Sequence, residues 1–270
     1  MKPIALLCFS VACVGGAAAA ADDATQGTAS PAVVIAVVID DLGNTLGEGR
    51  RVAALPGPVT CSILPHTAHS REIAELAHGA GKEVMLHLPM ESVDDEPLGP
   101  GGISLDMTEP EILHTLTDDI ASIPHLAGVN NHEGSLMTQH PGDMAWIMQA
   151  LHAAGPYFYI DSYTTVDSVA YQMARENGVP AARRNVFLDD INTDEAVAQQ
   201  WQRLLKIARR SGFAIAIGHP RSATLAMLER ELPLLAGENV TLVPVSRIVA
   251  LQEAHPLPSL TPAAQAATHQ

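Results

Sequence analysis

"VVIAVVIDDLGN", residues 33 to 44, runs seven apolar residues into two adjacent carboxylates, Asp40 and Asp41, and closes on Gly43 and Asn44. The run is too short for a helix. Its lack of polar alternation marks a strand buried on both faces, as in a parallel sheet covered by helices. Residues 59–64, 84–88, 157–160, 213–217 and 240–245 share this character, and "LAGVNNHEGS" (126–135) is a weaker member of the set.

The segments between these runs carry helical spacing. Ile73, Leu76, Ala77 and Ala80 precede Gly81, and Thr108 with Glu111 has the form of a capping box ahead of Ile112, Leu116 and Ile120. Met144, Ile147, Met148 and Leu151 lead to Gly155, as Val197, Trp201, Leu204 and Leu205 lead to Gly212. Strand and helix alternate about seven times with no linker-like break. That pattern predicts one α/β domain over residues 32–252, a single (β/α) barrel rather than a doubly wound sheet.

The flanks read differently. Residues 1–21 have the parts of a secretory signal peptide: Lys2, an apolar stretch over 4–14, and the small-residue run 17–21 as a cleavage site. The expected destination is across the inner membrane, in the periplasm or outside the cell. Gly15 and Gly16 interrupt the apolar stretch, so no stable membrane span is expected after cleavage. Lipid attachment at Cys13 is disfavoured by Ser10, where a bulky aliphatic residue would be expected. Residues 22–31 read as a flexible lead-in, and the Pro- and Ala-rich residues 253–270 as a disordered tail. Loss of Cys8 and Cys13 with the leader leaves Cys61 as the one thiol, without a disulfide partner and inside an apolar run, so the core must hold the fold. The formal charge of −15 argues against nucleic acid or an anionic membrane surface as partner.

In parallel α/β folds the carboxyl ends of the strands share one face, where functional groups gather. Strand ends here deliver Asp40 and Asp41, His87 in "HLPME", Asn130 to Glu133, Asp161 in "YIDSYT", and His219 in "IGHPR". Alone, an aspartate after a strand is often a helix cap, with Asn44 competing for that role here. The recurrence of acids and histidines at one rim argues against caps. One carboxylate and two imidazoles with an open fourth position is the recurring donor set of a catalytic zinc, which lowers the pKa of bound water toward about 7. Asp41, His87 and His132 can supply that set, which leaves Asp40 free as general base.

The motifs "VIDDLGN" (38–44), "KEVMLHLPMES" (82–92), "GVNNHEGS" (128–135), "YIDSYT" (159–164) and "AIGHP" (216–220) resemble those of the divergent polysaccharide deacetylases, relatives of the NodB-type carbohydrate esterases. The resemblance implies a distorted (β/α) barrel of NodB-like type and metal-dependent removal of acetyl groups from N-acetylated sugars. It matches Asp40 to the catalytic base, Asp41 to the metal-binding aspartate and His87 to the first metal histidine. It matches His219 to the histidine that acts as acid, and Asp161 to the carboxylate that orients it. Glu91 stands where the second metal histidine is expected, with Pro89 between it and His87, so either Glu91 or His132 completes the set. An arginine motif that restrains the base in the active esterases is absent where "GVNNHEGS" stands.

The expected function is therefore a zinc-dependent deacetylase acting on an envelope polysaccharide, peptidoglycan or a related glycan. A catalytically degenerate barrel that binds cell-wall glycan or a cell-wall protein is the alternative. A phosphohydrolase would need a phosphate-cradling loop or partner lysine that the sequence lacks. A serine hydrolase would need a G-x-S-x-G elbow, and Ser135 in "HEGS" reads instead as a turn residue.

Overall fold

The computed structural model describes residues 33–254 apart from 95. The expected leader, the lead-in and the tail from 255 onward lie outside the described residues, whereas residues 253 and 254, expected in the tail, complete a helix. In chain order the elements are β1 (Val33–Leu42), α1 (Leu46–Ala53), β2 (Thr60–Ile63), α2 (Ser70–Gly79), β3 (Glu83–Met90), α3 (Glu109–Ser122), β4 (Leu126–Glu133), α4 (Pro141–Ala154), β5 (Phe158–Asp161), α5 (Ala170–Glu176), β6 (Ala181–Arg183), β7 (Val186–Phe187), α6 (Asp194–Ser211), β8 (Phe213–Gly218), α7 (Ser222–Glu231), β9 (Val240–Leu242) and α8 (Val245–Ala254). Among the described residues no helix is long and apolar enough to cross a membrane.

All strand pairings are parallel, in the order β6-β5-β4-β3-β2-β1-β8-β7, with β9 beside the start of β1. The two ends of this path, β6 and β7, are separated in sequence only by Arg184 and Asn185. Three peptide steps span at most about 11 Å, so the sheet must curl until its edges nearly meet. The dipeptide bridges the gap with its own backbone: Arg184 N–H donates to the Asp161 carbonyl at 3.0 Å and Asn185 N–H to the Ile215 carbonyl at 2.9 Å. The result is a distorted (β/α) barrel.

Side chains alternate across each strand, and the two faces enter different cores. Ile35, Val37 and Ile39 point outward under the helices, with Leu86, Leu88, Val129 and Tyr159. Ala36 and Val38 point inward, with Met85, Phe158, Ile160, Ile215 and Ile217. Val245, Ile248 and Val249 of α8 close the bottom of this inner core. Extending the inward rows toward the carboxyl ends passes from apolar to polar: Val38 to Asp40, Met85 to His87, Ile217 to His219. The barrel interior is a packed base with a chemically active lid of side chains at one mouth.

Candidate metal centre

Parity alone would turn Asp41 outward, beside Ile39. The backbone prevents this. Between Ile39 and Leu42, β1 spends three steps against two of β2, from Cys61 to Ile63, so one residue is extra. Asp41 takes φ +58° in this bulge. A bulge re-aims a side chain, and here it brings two consecutive carboxylates to the same cleft.

Three donor atoms converge there. His132 Nδ1 lies 3.0 Å from Asp41 Oδ1 and 3.1 Å from His87 Nε2, and His87 Nε2 lies 3.2 Å from Asp41 Oδ1. Asp41 Oδ1 is buried yet accepts no directional hydrogen bond. His87 Nδ1 stands 3.0 Å from Asn130 Oδ1, so it carries a proton in either charge state, and in the neutral ring the Nε2 lone pair faces the other two donors. A tetrahedral zinc with donors near 2.1 Å has donor–donor edges of about 3.4 Å, close to these separations. The orphaned oxygen, the forced tautomer and the mixed N/O donor set all fit a divalent cation, and Asp41, His87 and His132 form the one such cluster among the described residues.

Asn130 organises what surrounds this cluster. Its Nδ2 donates to Asp40 Oδ1 and Oδ2 at 3.0 and 3.1 Å and reaches Ser162 Oγ at 3.1 Å, while its Oδ1 accepts from Ser62 Oγ at 2.5 Å. One neutral amide thus restrains both Asp40 and His87. Burial pushes the Asp40 carboxyl up, and the charges of His87 and His219 and the Asn130 bond only partly offset this. For Asp41, burial again works upward, but the close approach of His132 and His87 and the charges of His87 and His219 outweigh it. Its carboxyl stays well below the usual carboxylate range.

His219 faces the same space, with Nε2 3.6 Å from Asp41 Oδ2. The acid that holds it is Asp189, not Asp161. Asp189 Oδ1 lies 2.9 Å from His219 Nδ1, and its Oδ2 accepts from the His219 N–H at 2.8 Å and from Thr224 Oγ1 at 2.6 Å. Burial lowers the His219 pKa, but the Asp189 bond and the charges of Asp41 and Asp40 more than reverse it, so the ring holds its proton more firmly than a free imidazole. Asp161 is excluded by parity. It follows Tyr159 on the outward face of β5, where Oδ1 accepts from Tyr163 N–H at 2.8 Å and Oδ2 from Arg183 Nε at 3.2 Å. Sequence reasoning overlooked Asp189 because β7 is two residues long. The available signal was "FLDD" (187–190), which repeats the apolar-apolar-Asp-Asp pattern of "VIDD" (38–41).

Glu91 also lies outside the cluster. The strand ends at Met90, Glu91 N–H turns to the Ile103 carbonyl at 3.0 Å, and its Oε2 accepts from Leu105 N–H at 2.7 Å. The carboxylate is spent on holding the loop after β3. The structure thus brings together Asp40, Asp41, His87, His132 and His219 and leaves Glu91 and Asp161 apart. These five open onto a cleft of about 820 Å³, whose lining also includes Arg184, Phe187, Asp190, Arg203 and Arg221.

Residues 37–249 match the family model described as divergent polysaccharide deacetylase. Uncharacterized protein YibQ of Escherichia coli (strain K12) is 36% identical over 215 residues, covering 80% of this chain and 67% of that protein. The crystal structure of ATU2773 from Agrobacterium tumefaciens C58 is similar with a TM-score of 0.77 at 21% identity, over 81% of this chain and 90% of that one. BA3943, a CE4 family pseudoenzyme from Bacillus anthracis, is similar with a TM-score of 0.51 at 11% identity, over 82% and 66% of the two chains. These two structures speak to the fold alone. The family match spans nearly all of the barrel, from β1 to α8, and on that ground the chain belongs to the divergent polysaccharide deacetylase family.

Proposed function

We propose that the protein is a metal-dependent hydrolase of the cell envelope that removes acetyl groups from an N-acetylated polysaccharide, peptidoglycan or a related glycan. The observation that carries this reading is the convergence in one cleft of the Asp41–His87–His132 donor set with Asp40 and the Asp189-held His219. The leader-like residues 1–21 support an envelope location. Two imidazoles and a carboxylate favour zinc, which when bound supplies Lewis acidity toward a carbonyl oxygen and acidifies water.

The side chains divide the remaining work. Asp40, held through both oxygens by Asn130, accepts the proton of the attacking water. The water oxygen bonds to the acetamide carbon and the C–N bond breaks, giving acetate and a free amine. His219 delivers the proton that the departing nitrogen requires from Nε2. Asp189 on Nδ1 fixes the ring so that Nε2 faces the cleft.

Metal analysis joined to acetate release from an N-acetylated oligosaccharide tests the reading. Wild type should hold one equivalent of metal and release acetate; Asp41→Ala should lose both, and His219→Ala should keep the metal and lose turnover. Wild type free of metal, or undiminished acetate release by Asp41→Ala, would sink it. One observation favours a second reading, glycan binding without turnover: a neutral amide, rather than an arginine, restrains Asp40. Full glycan affinity in an Asp40→Asn, His219→Ala double variant, with no acetate released by either form, would decide for binding alone.

A further inference from the structure

The chain carries 30 acidic residues against 15 lysines and arginines, so cations have an excess of carboxylates to choose from. Arg51, Arg175, Arg183, Arg209 and Arg230 are each paired with a carboxylate at 2.5 to 3.2 Å. Seven described arginines lack such a pair: Arg50, Arg71, Arg210 and Arg247 lie outside the cleft, and Arg184, Arg203 and Arg221 line it. Among the described residues, none of Arg184, Arg203 and Arg221 has a carboxylate oxygen within 4.0 Å. Arg184 instead donates from Nε to the Ser162 carbonyl at 2.5 Å and from Nη2 to the Tyr163 carbonyl at 2.9 Å. Arg221 donates from Nη1 to the Asp189 carbonyl at 2.5 Å, and Arg203 from Nη1 to Gln200 Oε1 at 3.5 Å.

Neutral acceptors take the hydrogen bonds these groups make, while the nearest carboxylates, Asp190 in the cleft lining and Asp40 and Asp161 within electrostatic reach of Arg184, lie beyond pairing distance, which leaves guanidinium donors free for a ligand. Two of these arginines stand one side chain from His219. Arg221 shares Asp189 with it, and Arg184 lies 4.8 Å from the centre of the Phe187 ring, which meets the His219 ring edge-on at 5.3 Å. A planar fork of this kind matches a carboxylate, whereas sugar hydroxyls are served as well by neutral side chains.

Resting on the deacetylase reading, we propose that the accepted glycan is anionic, and that a carboxylate on the N-acetylated sugar or its immediate neighbour docks on Arg184, Arg203 and Arg221 beside His219. Two sugar chemistries supply such a group, a lactyl ether on an amino sugar and a uronic acid in the chain.

Calorimetric titration of the full chain with three tetrasaccharides separates them. The probes are an N-acetylglucosamine tetramer, an alternating N-acetylglucosamine and N-acetylmuramic acid tetramer, and an alternating N-acetylglucosamine and glucuronic acid tetramer. At least one acidic probe should bind about tenfold or more tightly than the neutral one, a difference of about 1.4 kcal/mol. The gap should shrink when ionic strength rises from about 0.01 M to about 1 M. It should also narrow in Arg203→Gln, whose exposed position makes misfolding no explanation, and close in Arg203→Gln with Arg221→Gln. The acidic probe that wins names the source of the carboxylate. Equal or tighter binding of the neutral probe, no binding of any probe, or a preference that survives both substitutions would overturn the proposal. Metal content and acetate release measured on the same samples report separately on the deacetylase reading, which can fail while the preference for acid stands.

Discussion

Asp189 is a buried carboxylate whose oxygens take three hydrogen bonds, two of them from one histidine. Replacing it by asparagine keeps the shape and removes the charge that draws the proton onto His219. Asp189→Asn should therefore lower turnover by at least about a hundredfold, the loss typical of a disabled proton donor, with metal content unchanged. Asp161→Asn, which weakens contacts to Arg183 and Ser168 on the outer face, should leave turnover near wild type and reduce stability by about 1–3 kcal/mol. Equal losses of turnover in the two variants would refute the assignment of Asp189 as the positioning acid. A second buried acid, Asp119 of α3, answers to pH. Burial first and Asp118 second push its carboxyl from 3.8 up to about 8, while His66 Nε2 contacts Oδ1 at 2.9 Å. Between those values the folded chain binds more protons at this site than the unfolded one, so the contribution of Asp119 to stability declines as pH rises from 3.8 to about 8. Urea midpoints for Asp119→Asn should show a flatter decline over this range and a gain over wild type above it. An unchanged slope would rule out Asp119 as the source.

The longer strands that hold the site were legible from their mostly apolar runs. The expectation at 84–88 became Glu83–Met90 and that at 213–217 became Phe213–Gly218. The strands β6 and β7, with three and two residues, present no periodicity to read and exist because neighbouring strands pair with them. That is why Asp189 was invisible while Asp40, His87 and His219 were not. Face assignment was the second difficulty. Strand ends announce which residues reach the mouth of the barrel, but only the inward and outward parity of packed neighbours separates His219 from Asp161. At Asp41 even parity fails, because a bulge redirects the chain. Helix stops were more transparent: α6 ends at Gly212, which adopts φ +87° and returns its N–H to the Ala208 carbonyl at 2.8 Å. A Cβ there meets nothing within 4 Å, so the cost of Gly212→Ala is purely conformational. The variant should lose about 1 kcal/mol of unfolding free energy with unchanged metal content. A neutral result in urea titration would mean that the helix end adjusts without the left-handed residue.

Across the whole molecule, the donor set joins positions 41, 87 and 132, which belong to β1, β3 and β4. β1 and β3 are not neighbours in the sheet, since β2 lies between them. An ion held by Asp41, His87 and His132 therefore cross-links the mouth of the barrel, over a bulge whose left-handed aspartate is strained in its own right. Such an ion binds the folded chain and finds no assembled site in the unfolded one, so it should stabilise by mass action. At free metal about a hundred times its dissociation constant, the gain is about 2.7 kcal/mol. For a domain of this size each kcal/mol moves the melting temperature by about 2–4 °C. Chelation should thus lower it by roughly 5–10 °C, reversibly on adding zinc. His132→Ala should melt lower than the metal-loaded wild type and respond to neither chelator nor zinc, because it lacks one corner of the set. Glu91→Gln, whose carboxylate serves Leu105 instead, should respond to both as wild type does. Melting curves that ignore chelation, or a Glu91→Gln protein that behaves like His132→Ala, would show that the three converging donors are not where the ion is held.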